Sequence, residues 1–263
     1  MASYTNRVSQ PTVARELDQS QGFAYALPVL PLAFLLGPMA ILQGIYAKYF
    51  GLGLTIIASV LLVSRLFDAI TDPAIGYYAD KYYTKHGSRK PFVVSGGILF
   101  IISSWFLYVP PDNVSAGYFL VWFLAFYLAY TLFDIPHLAW GSELATDSQG
   151  KNKIFGLRTF CMFLGGLLFY AMPLLPIFET NEFTPQTLKW SVTVAGVLML
   201  PLIYLCARTV PNPQVLMGQD NYSVPTDPLT KKQQNIKVVL HSMIANKPLR
   251  TLTAAHVCTG IGS

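Results

Sequence analysis

Three oxygen-bearing side chains share one face of a long apolar segment. The segment at 61–80 reads LLVSRLFDAITDPAIGYYAD, and it carries Asp68, Thr71 and Asp72. Residues three or four apart lie on the same face of a helix, so these carboxylate and hydroxyl oxygens gather together. Hard cations prefer such oxygens as ligands, and neighbouring carboxylates repel each other without a cation or a proton. The spacing predicts a site for a metal cation or a proton.

Arg65 lies in the same segment, three residues before Asp68. Charged side chains inside a membrane span cost about 2.5–3.5 kcal/mol each on insertion scales, so they usually turn inward and pair. A purely structural interpretation is that Arg65 neutralises Asp68. That interpretation accounts for one carboxylate and leaves Asp72 without a role.

A second acidic residue lies in the apolar segment YLAYTLFDIPHLAWGSEL at 127–144. Asp134 is within the apolar run, and Thr131 precedes it by one helical turn. Pro136 has no N–H, so it interrupts the backbone hydrogen bonds and frees carbonyl groups to line a cavity. The two segments run in the same direction through the membrane, so we expect Asp72 and Asp134 to lie at a similar depth.

Other polar and aromatic residues near Asp134 each allow two interpretations. Arg158 either extends to the lipid headgroups or bonds the hydroxyl groups of a solute and balances Asp134. The lone His137 is more typical of a hydrogen-bonded interior residue than of a ligand. Trp140 and Tyr130 either stack on a sugar or belong to the lipid-facing and interfacial aromatics.

The elements that must position these residues are membrane-spanning helices. Hydrophobic residues make up 53% of the chain and charged residues 12%, with a mean hydropathy of +0.44, whereas soluble domains carry roughly 25% charged residues. A spanning helix needs about 20 apolar residues. We place six such helices near 23–50, 56–80, 92–110, 116–142, 154–177 and 189–208. The net charge of +5 reflects membrane topology, so we expect no nucleic acid partner.

Four regions follow from this pattern. Residues 1–22 form a polar N-terminal segment, and 23–208 form the six-helix bundle. Residues 209–249 form a long loop in which apolar residues recur at helical spacing between 236 and 244. This predicts an amphipathic helix on the inner membrane face, or a linker helix packed on the bundle. The apolar stretch at 250–263 is too short to span, so we expect it to be the truncated start of a seventh helix.

Basic residues predict the orientation of the bundle. Most of the 18 Lys and Arg residues fall before the first helix and in alternate loops after it. Because cytoplasmic loops are enriched in Lys and Arg, the N-terminus and the long loop at 209–249 are predicted to be cytoplasmic.

Three local patterns together resemble the glycoside–pentoside–hexuronide:cation symporter family of the major facilitator superfamily. They are RLFDAITDPAIGYYAD at 65–80, GYYADKYYTKHGSRKP at 76–91 and YTLFDIPHLAW at 130–140, followed by Arg158. The resemblance covers about residues 23 to 178. It implies an all-α membrane protein with the major facilitator fold, of which this chain is the N-terminal six-helix bundle plus the start of helix 7.

The resemblance also implies roles for individual residues. It assigns the site for Na⁺, Li⁺ or H⁺ to Asp68, Thr71, Asp72 and Thr131. It assigns substrate binding to Asp134 and Arg158. It assigns a conformational role in the cytoplasmic motif to Gly76, Asp80, Arg89 and Lys90, with Gly76 allowing close helix packing and the charged residues forming a network. Three positions depart from the family pattern: Leu32 replaces a sugar-binding carboxylate, Leu138 replaces a tryptophan, and Thr71 replaces an asparagine.

The expected function is symport of a sugar or glycoside with a monovalent cation by alternating access, without a prosthetic group. One alternative is transport of a lysolipid or another amphipathic solute, which suits the apolar Leu32. Another is a membrane scaffold or receptor without transport. We do not expect an enzyme, because the sequence shows no nucleophile, base or metal constellation. A bacterial inner membrane is the expected location.

Overall fold

The computed structural model describes residues 18–145 and 147–213, which form helices joined by short connections, with no β-strand among them. All of them fall within one compact unit. Six helical segments are long and apolar enough to cross a membrane. They are Gln19–Ala40, Leu54–His86, Lys90–Tyr108, Ala116–Glu143, Ser148–Leu174 and Pro185–Thr209. The number of predicted spans is therefore confirmed. The predicted N-terminal segment up to residue 17, the amphipathic helix and the seventh segment lie outside the described residues.

The first span is broken into short pieces instead of forming the single predicted helix at 23–50. Its pieces are α1 (Gln19–Ala26), α2 (Val29–Leu36), a 3₁₀ turn (Gly37–Ala40) and α3 (Leu42–Phe50). Proline has no N–H to donate and clashes with the preceding turn, so it interrupts an α-helix. Pro28 lies at the first break and Pro38 in the 3₁₀ turn.

The other five spans are continuous helices near the predicted positions. They are α4 (Leu54–His86), α5 (Lys90–Tyr108), α6 (Ala116–Glu143), α7 (Ser148–Ala171) and α8 (Pro185–Thr209). α4 ends where Gly87 adopts a left-handed conformation with φ 67°, which glycine tolerates without steric cost. α7 begins at Ser148, earlier than the predicted residue 154, because Asp147 accepts a hydrogen bond from the Gly150 amide and caps the helix.

An aromatic core holds the bundle together. α5 packs against α6 and α8, α2 packs against α7, and α4 packs against α6. The rings of Phe100 on α5 and of Phe123, Phe126 and Phe133 on α6 are completely buried in this core. α4 is the least covered of the six spans and exposes Leu62, Leu66 and Ile70 among other apolar residues. α6 is thus fixed from several sides, and one side of α4 rests on it.

α5 and α6 approach each other closely at a glycine of α5. A methyl group added at Gly96 would lie 2.5 Å from the backbone nitrogen of Phe133. At Gly76 on α4 the nearest atom to such a methyl group is Cγ2 of Ile135, at the ordinary contact distance of 3.9 Å. The prediction that Gly76 allows close helix packing is therefore wrong for the described residues, because the space beside it already fits a side chain.

We expect Gly96→Ala to destabilise the protein by about 1–3 kcal/mol, the usual cost of overpacking. The obstructing atoms belong to the α6 backbone, which cannot turn aside as a side chain can. Gly76→Ala is the matched control, and it should leave the melting temperature unchanged or raise it slightly, since alanine favours a helix over glycine. Thermal unfolding in detergent measures both variants. Equal melting temperatures for the two would contradict this packing.

Candidate functional site

The two predicted carboxylate segments meet in the interior of the bundle. The Thr131 hydroxyl on α6 donates a hydrogen bond of 2.9 Å to Oδ1 of Asp72 on α4. This bond joins two spans whose residues are 59 positions apart in the sequence. The contact brings α4 and α6 together at the level of Asp72 and Thr131.

Asp68 lies one helical turn before Asp72 and keeps one oxygen without a partner. Its Oδ1 is buried and accepts no hydrogen bond from any residue of the described ranges 18–145 and 147–213. Its Oδ2 lies 3.7 Å from Nη1 of Arg65, and the Asp68 side chain is only 15% exposed. A buried carboxylate oxygen without a donor is costly, so this position favours a cation.

Arg65 neutralises Asp68 only loosely. Its side chain is 68% exposed, and its guanidinium carbon lies 5.4 Å from the centre of the Tyr127 ring. An exposed ion pair at this distance contributes little stability. Arg65 does contact Asp68, as a purely structural role would require. The contact leaves Oδ1 of Asp68 without a partner among the described residues.

Thr71 completes a set of oxygens around these carboxylates. Its hydroxyl donates to the backbone oxygen of Phe67 at 3.0 Å, so its oxygen lone pairs stay available as acceptors. Two carboxylates with two hydroxyl oxygens suit a hard cation, which prefers oxygen ligands.

Asp134 and Arg158 form an ion pair between α6 and α7. The Arg158 Nη2 group donates to Oδ1 of Asp134, and the two side chains are only 10% and 13% exposed, respectively. Tyr130 lies one turn before Asp134 on the same helix. Arg158 lies about three turns into α7, so the interpretation that it extends to the headgroups is wrong. The Nε of Arg158 is buried without a partner among the described residues.

Two candidate residues close to Asp134 along α6 are occupied by internal contacts. His137 is fully buried, and its Nε2 lies 3.0 Å from the backbone oxygen of Tyr25, as expected for an interior histidine. Trp140 is 1% exposed, and its Nε1 donates to the backbone oxygen of Pro211 at 3.2 Å. A substrate contact by Trp140 or by Tyr130 stays a prediction.

The charged motif between α4 and α5 is built around Arg89. Its guanidinium pairs with Asp80 at 2.6 Å and with Glu143 at 2.8 Å, and it lies over the Tyr83 ring at 4.4 Å. Burial lowers the pKa of Arg89, but the hydrogen bonds that its guanidinium donates to Glu143 and Asp80 outweigh burial, so the pKa is raised overall. The sequence analysis did not place Glu143 in this charge network. Its position at the end of α6, beside a basic loop, could have indicated it.

Lys90 does not belong to this network. Its Nζ donates to the backbone oxygen of Ala207 at 2.8 Å near the end of α8 and lies 5.5 Å from the Trp140 ring centre. No carboxylate lies within ion-pair distance of it in the parts of the chain that the structure describes. The predicted charge network of Asp80, Arg89 and Lys90 is corrected to Asp80, Arg89 and Glu143, because Lys90 instead satisfies a free carbonyl at a helix C-terminus.

Curated relatives of the chain are transport proteins. The chain is 27% identical over 207 residues to the putative glycoside/cation symporter YagG of Escherichia coli, covering 77% of this chain and 43% of that protein. It is 25% identical over 190 residues to the isoprimeverose transporter of Lactiplantibacillus pentosus, covering 69% and 39%. It is 27% identical over 152 residues to the sodium-dependent lysophosphatidylcholine symporter 1 of Gallus gallus, covering 53% and 28%.

The matched part of the chain spans less than half the length of each of these relatives. The model of a single family, described as MFS/sugar transport protein, matches residues 20–261 and so covers most of the chain. This match confirms the family resemblance read from the three motifs and points to a transporter and not to an enzyme. The chain belongs to the MFS/sugar transport protein family.

Proposed function

We propose that this chain forms the cation-binding half of a secondary active transporter that carries a sugar or glycoside together with Na⁺. The observation that carries the proposal is the buried, unpartnered Oδ1 of Asp68 one turn from the Asp72–Thr131 hydrogen bond. A site with two carboxylates and one loosely held arginine attracts a small cation. Li⁺ or H⁺ would satisfy the same oxygens.

The cation-binding step uses oxygens from two spans. Asp68, Thr71 and Asp72 come from α4, and Thr131 comes from α6. A bound cation draws the Asp72 and Thr131 oxygens toward itself, so its binding free energy favours the arrangement in which α4 and α6 are closely packed. A ligand shifts a conformational equilibrium only through such a difference in affinity between states.

The second step is substrate binding at the Asp134–Arg158 pair. Thr131 and Asp134 are one turn apart on α6, so a change at the cation site moves the carboxylate that holds Arg158. Vicinal hydroxyl groups of a sugar match this pair, since one hydroxyl donates to the carboxylate while its neighbour accepts from the guanidinium. Arg158 Nε, buried without a partner in the described ranges, supplies a further donor.

An amphipathic solute is the second candidate. Leu138, one turn beyond Asp134, is partly exposed, and an apolar side chain there suits a lipid tail or the apolar part of a glycoside. Leu32 is 2% exposed in the core, so it does not contribute to such a contact in this conformation. One relative is named a lysophosphatidylcholine symporter, so lysophosphatidylcholine is the amphipathic solute to test.

Uptake of labelled isoprimeverose into proteoliposomes tests the proposal, with the complete natural protein and an imposed inward Na⁺ gradient. We expect uptake that requires the gradient and is blocked by excess unlabelled glycosides. Competition by lysophosphatidylcholine without any competition by glycosides would assign the lipid cargo instead. Binding of either solute without gradient-driven accumulation would indicate a receptor and contradict transport.

We also propose the membrane orientation and location. Arg89, Lys90 and the other basic residues around α4 and α5 mark the cytoplasmic side by the distribution of positive charge. The N-terminus and the loop after α8 would then face the cytoplasm of a bacterial inner membrane. Labelling of single cysteines at exposed Asp112 and at exposed Lys85 by an impermeant reagent tests this, and labelling of Lys85→Cys in intact cells would contradict it.

A further inference from the structure

Tyr25 on α1 and His137 on α6 form a buried reciprocal contact. The Tyr25 hydroxyl donates to the backbone oxygen of His137 at 2.8 Å, and Nε2 of His137 lies 3.0 Å from the backbone oxygen of Tyr25. The rings are stacked with centres 4.1 Å apart and planes 9° apart. Both residues are completely buried.

The contact fixes the protonation of the histidine. A carbonyl oxygen only accepts hydrogen bonds, so Nε2 must carry the proton and donate to Tyr25. Nδ1 is buried without a partner in the described part of the chain, so a second proton there would have no acceptor and the ring is neutral. A histidine held in this form contributes no charge beside Asp134 and Arg158.

The α6 surface is shaped to receive the tyrosine ring. A methyl group added at Gly141 would collide with the Tyr25 hydroxyl and lie 2.6 Å from its ring carbon Cζ. The Trp140 ring meets Tyr25 edge to face at 6.2 Å. Position 141 therefore needs glycine for the Tyr25 ring to lie where it does.

The position of this contact matters because α1 lies against α7. α1 packs on α7, whereas α6 and α7 make few direct contacts with each other. The Asp134–Arg158 pair nevertheless joins α6 to α7. The separation that this pair has to bridge thus depends on how α1 is held against α6.

We propose that Tyr25 and His137 are positioning residues for the substrate-binding pair Asp134–Arg158. Their reciprocal hydrogen bonds hold the broken first span on α6 and so set the spacing between α6 and α7. The pair itself contacts the solute, and Tyr25 and His137 act through it. The link to solute binding rests on the proposed transport function; the link to the geometry of the ion pair does not.

A double-mutant cycle on thermal stability tests the geometric link in the complete natural protein in detergent. Tyr25→Phe removes one hydrogen bond and keeps the stacked ring, and Arg158→Lys keeps the charge but changes the geometry of the pair. We expect the two melting-temperature changes to be non-additive by about 2 °C or more. Additive changes would overturn the proposal.

Tyr46→Phe is the matched control. Tyr46 is also completely buried, and its hydroxyl donates to the backbone oxygen of Leu107 at 2.6 Å, away from the ion pair. Its change should add to that of Arg158→Lys. Equal non-additivity for Tyr46→Phe would assign the effect to general loosening of the bundle and overturn the proposal.

Uptake of labelled isoprimeverose tests whether Tyr25 and His137 affect solute binding. Tyr25→Phe should raise KM about three- to tenfold, the factor that corresponds to the free energy of one hydrogen bond. Tyr46→Phe should leave KM unchanged. His137→Phe should raise KM as well, and His137→Gln should restore it, because the glutamine amide reaches the same carbonyl. Unchanged KM in Tyr25→Phe and His137→Phe would overturn the functional link. Absence of uptake by the wild-type protein would reject the transport function and leave the stability cycle to decide the geometric link.

Discussion

Asp72→Asn should strongly weaken Na⁺-dependent uptake while the protein still folds and reaches the membrane. Asparagine keeps the oxygen that accepts the 2.9 Å hydrogen bond from Thr131, so the contact between α4 and α6 survives. The substitution removes only the negative charge that attracts the cation. Loss of one charged partner is worth about 1.5–3 kcal/mol, so the apparent affinity for Na⁺ should fall about 10- to 100-fold. Uptake measured against Na⁺ concentration gives this value.

Asp112→Asn is the control for the chemical change alone. Asp112 lies exposed in the connection between α5 and α6, so its loss of charge should leave the Na⁺ dependence as it is in the wild type. The assignment of Asp72 fails if Asp72→Asn transports with the wild-type dependence on Na⁺. It also fails if Asp112→Asn loses that dependence equally.

Arg158→Ala should lower both the stability of the protein and its rate of uptake. The substitution leaves the buried Asp134 carboxylate without its cationic partner, and breaking a buried ion pair in this way costs about 3–5 kcal/mol. Solute binding also loses the guanidinium, so uptake should fall at least about tenfold. The same substitution at Arg208, an exposed arginine in the last turn of α8, should change neither quantity. Thermal unfolding and initial rates of uptake measure the two effects separately.

The neutral double variant separates stability from transport. Asp134→Asn with Arg158→Gln removes both charges, so no unpaired charge is buried and most of the lost stability should return. Uptake should stay low, because the neutral pair binds hydroxyl groups more weakly. If the double variant regained wild-type uptake, the ion pair would be structural and would not bind the solute.

Residue spacing predicted which oxygen-bearing side chains of α4 share a face, because that depends on local helix geometry. Asp68, Thr71 and Asp72 lie on a single helix, and an α-helix places residues three or four apart on one face regardless of the rest of the fold. Thr131 was placed beside Asp72 only by the family resemblance, and the structure shows a hydrogen bond between the two side chains. The six spans could be predicted equally well, because the thickness of the bilayer sets the length of apolar run that a spanning helix needs.

Contacts that depend on tertiary packing were not predictable in the same way. The unbroken first helix was predicted because its apolar run is continuous, and the prolines at positions 28 and 38 divide it only through their missing N–H groups. The start of α7 was predicted too late because its first turns are polar, and the prediction followed only the apolar run. The N-cap at Asp147 was therefore missed. As a result Arg158 was expected near a helix end and lies buried inside.

Partners of long polar side chains were the least predictable feature. Arg89 reaches Asp80 on α4 and Glu143 on α6, while its neighbour Lys90 turns to the end of α8. Which of two adjacent basic residues meets a carboxylate depends on helix rotation, and sequence spacing within one segment does not determine that rotation. The reciprocal contact of Tyr25 with the α6 backbone had no sequence signal for the same reason.

Thermal stability in different salts tests the central claim, a cation site between α4 and α6, most directly. The purified protein is unfolded in NaCl, LiCl and choline chloride at equal ionic strength, and the melting temperature is followed as Na⁺ replaces choline. A cation that binds only the folded state stabilises it by about 2.7 kcal/mol at a hundredfold excess over Kd, so the melting temperature should rise with Na⁺, and Asp68→Asn should remove the rise. Identical unfolding of the folded wild-type protein in all three salts would contradict an alkali-cation site at Asp68 and Asp72.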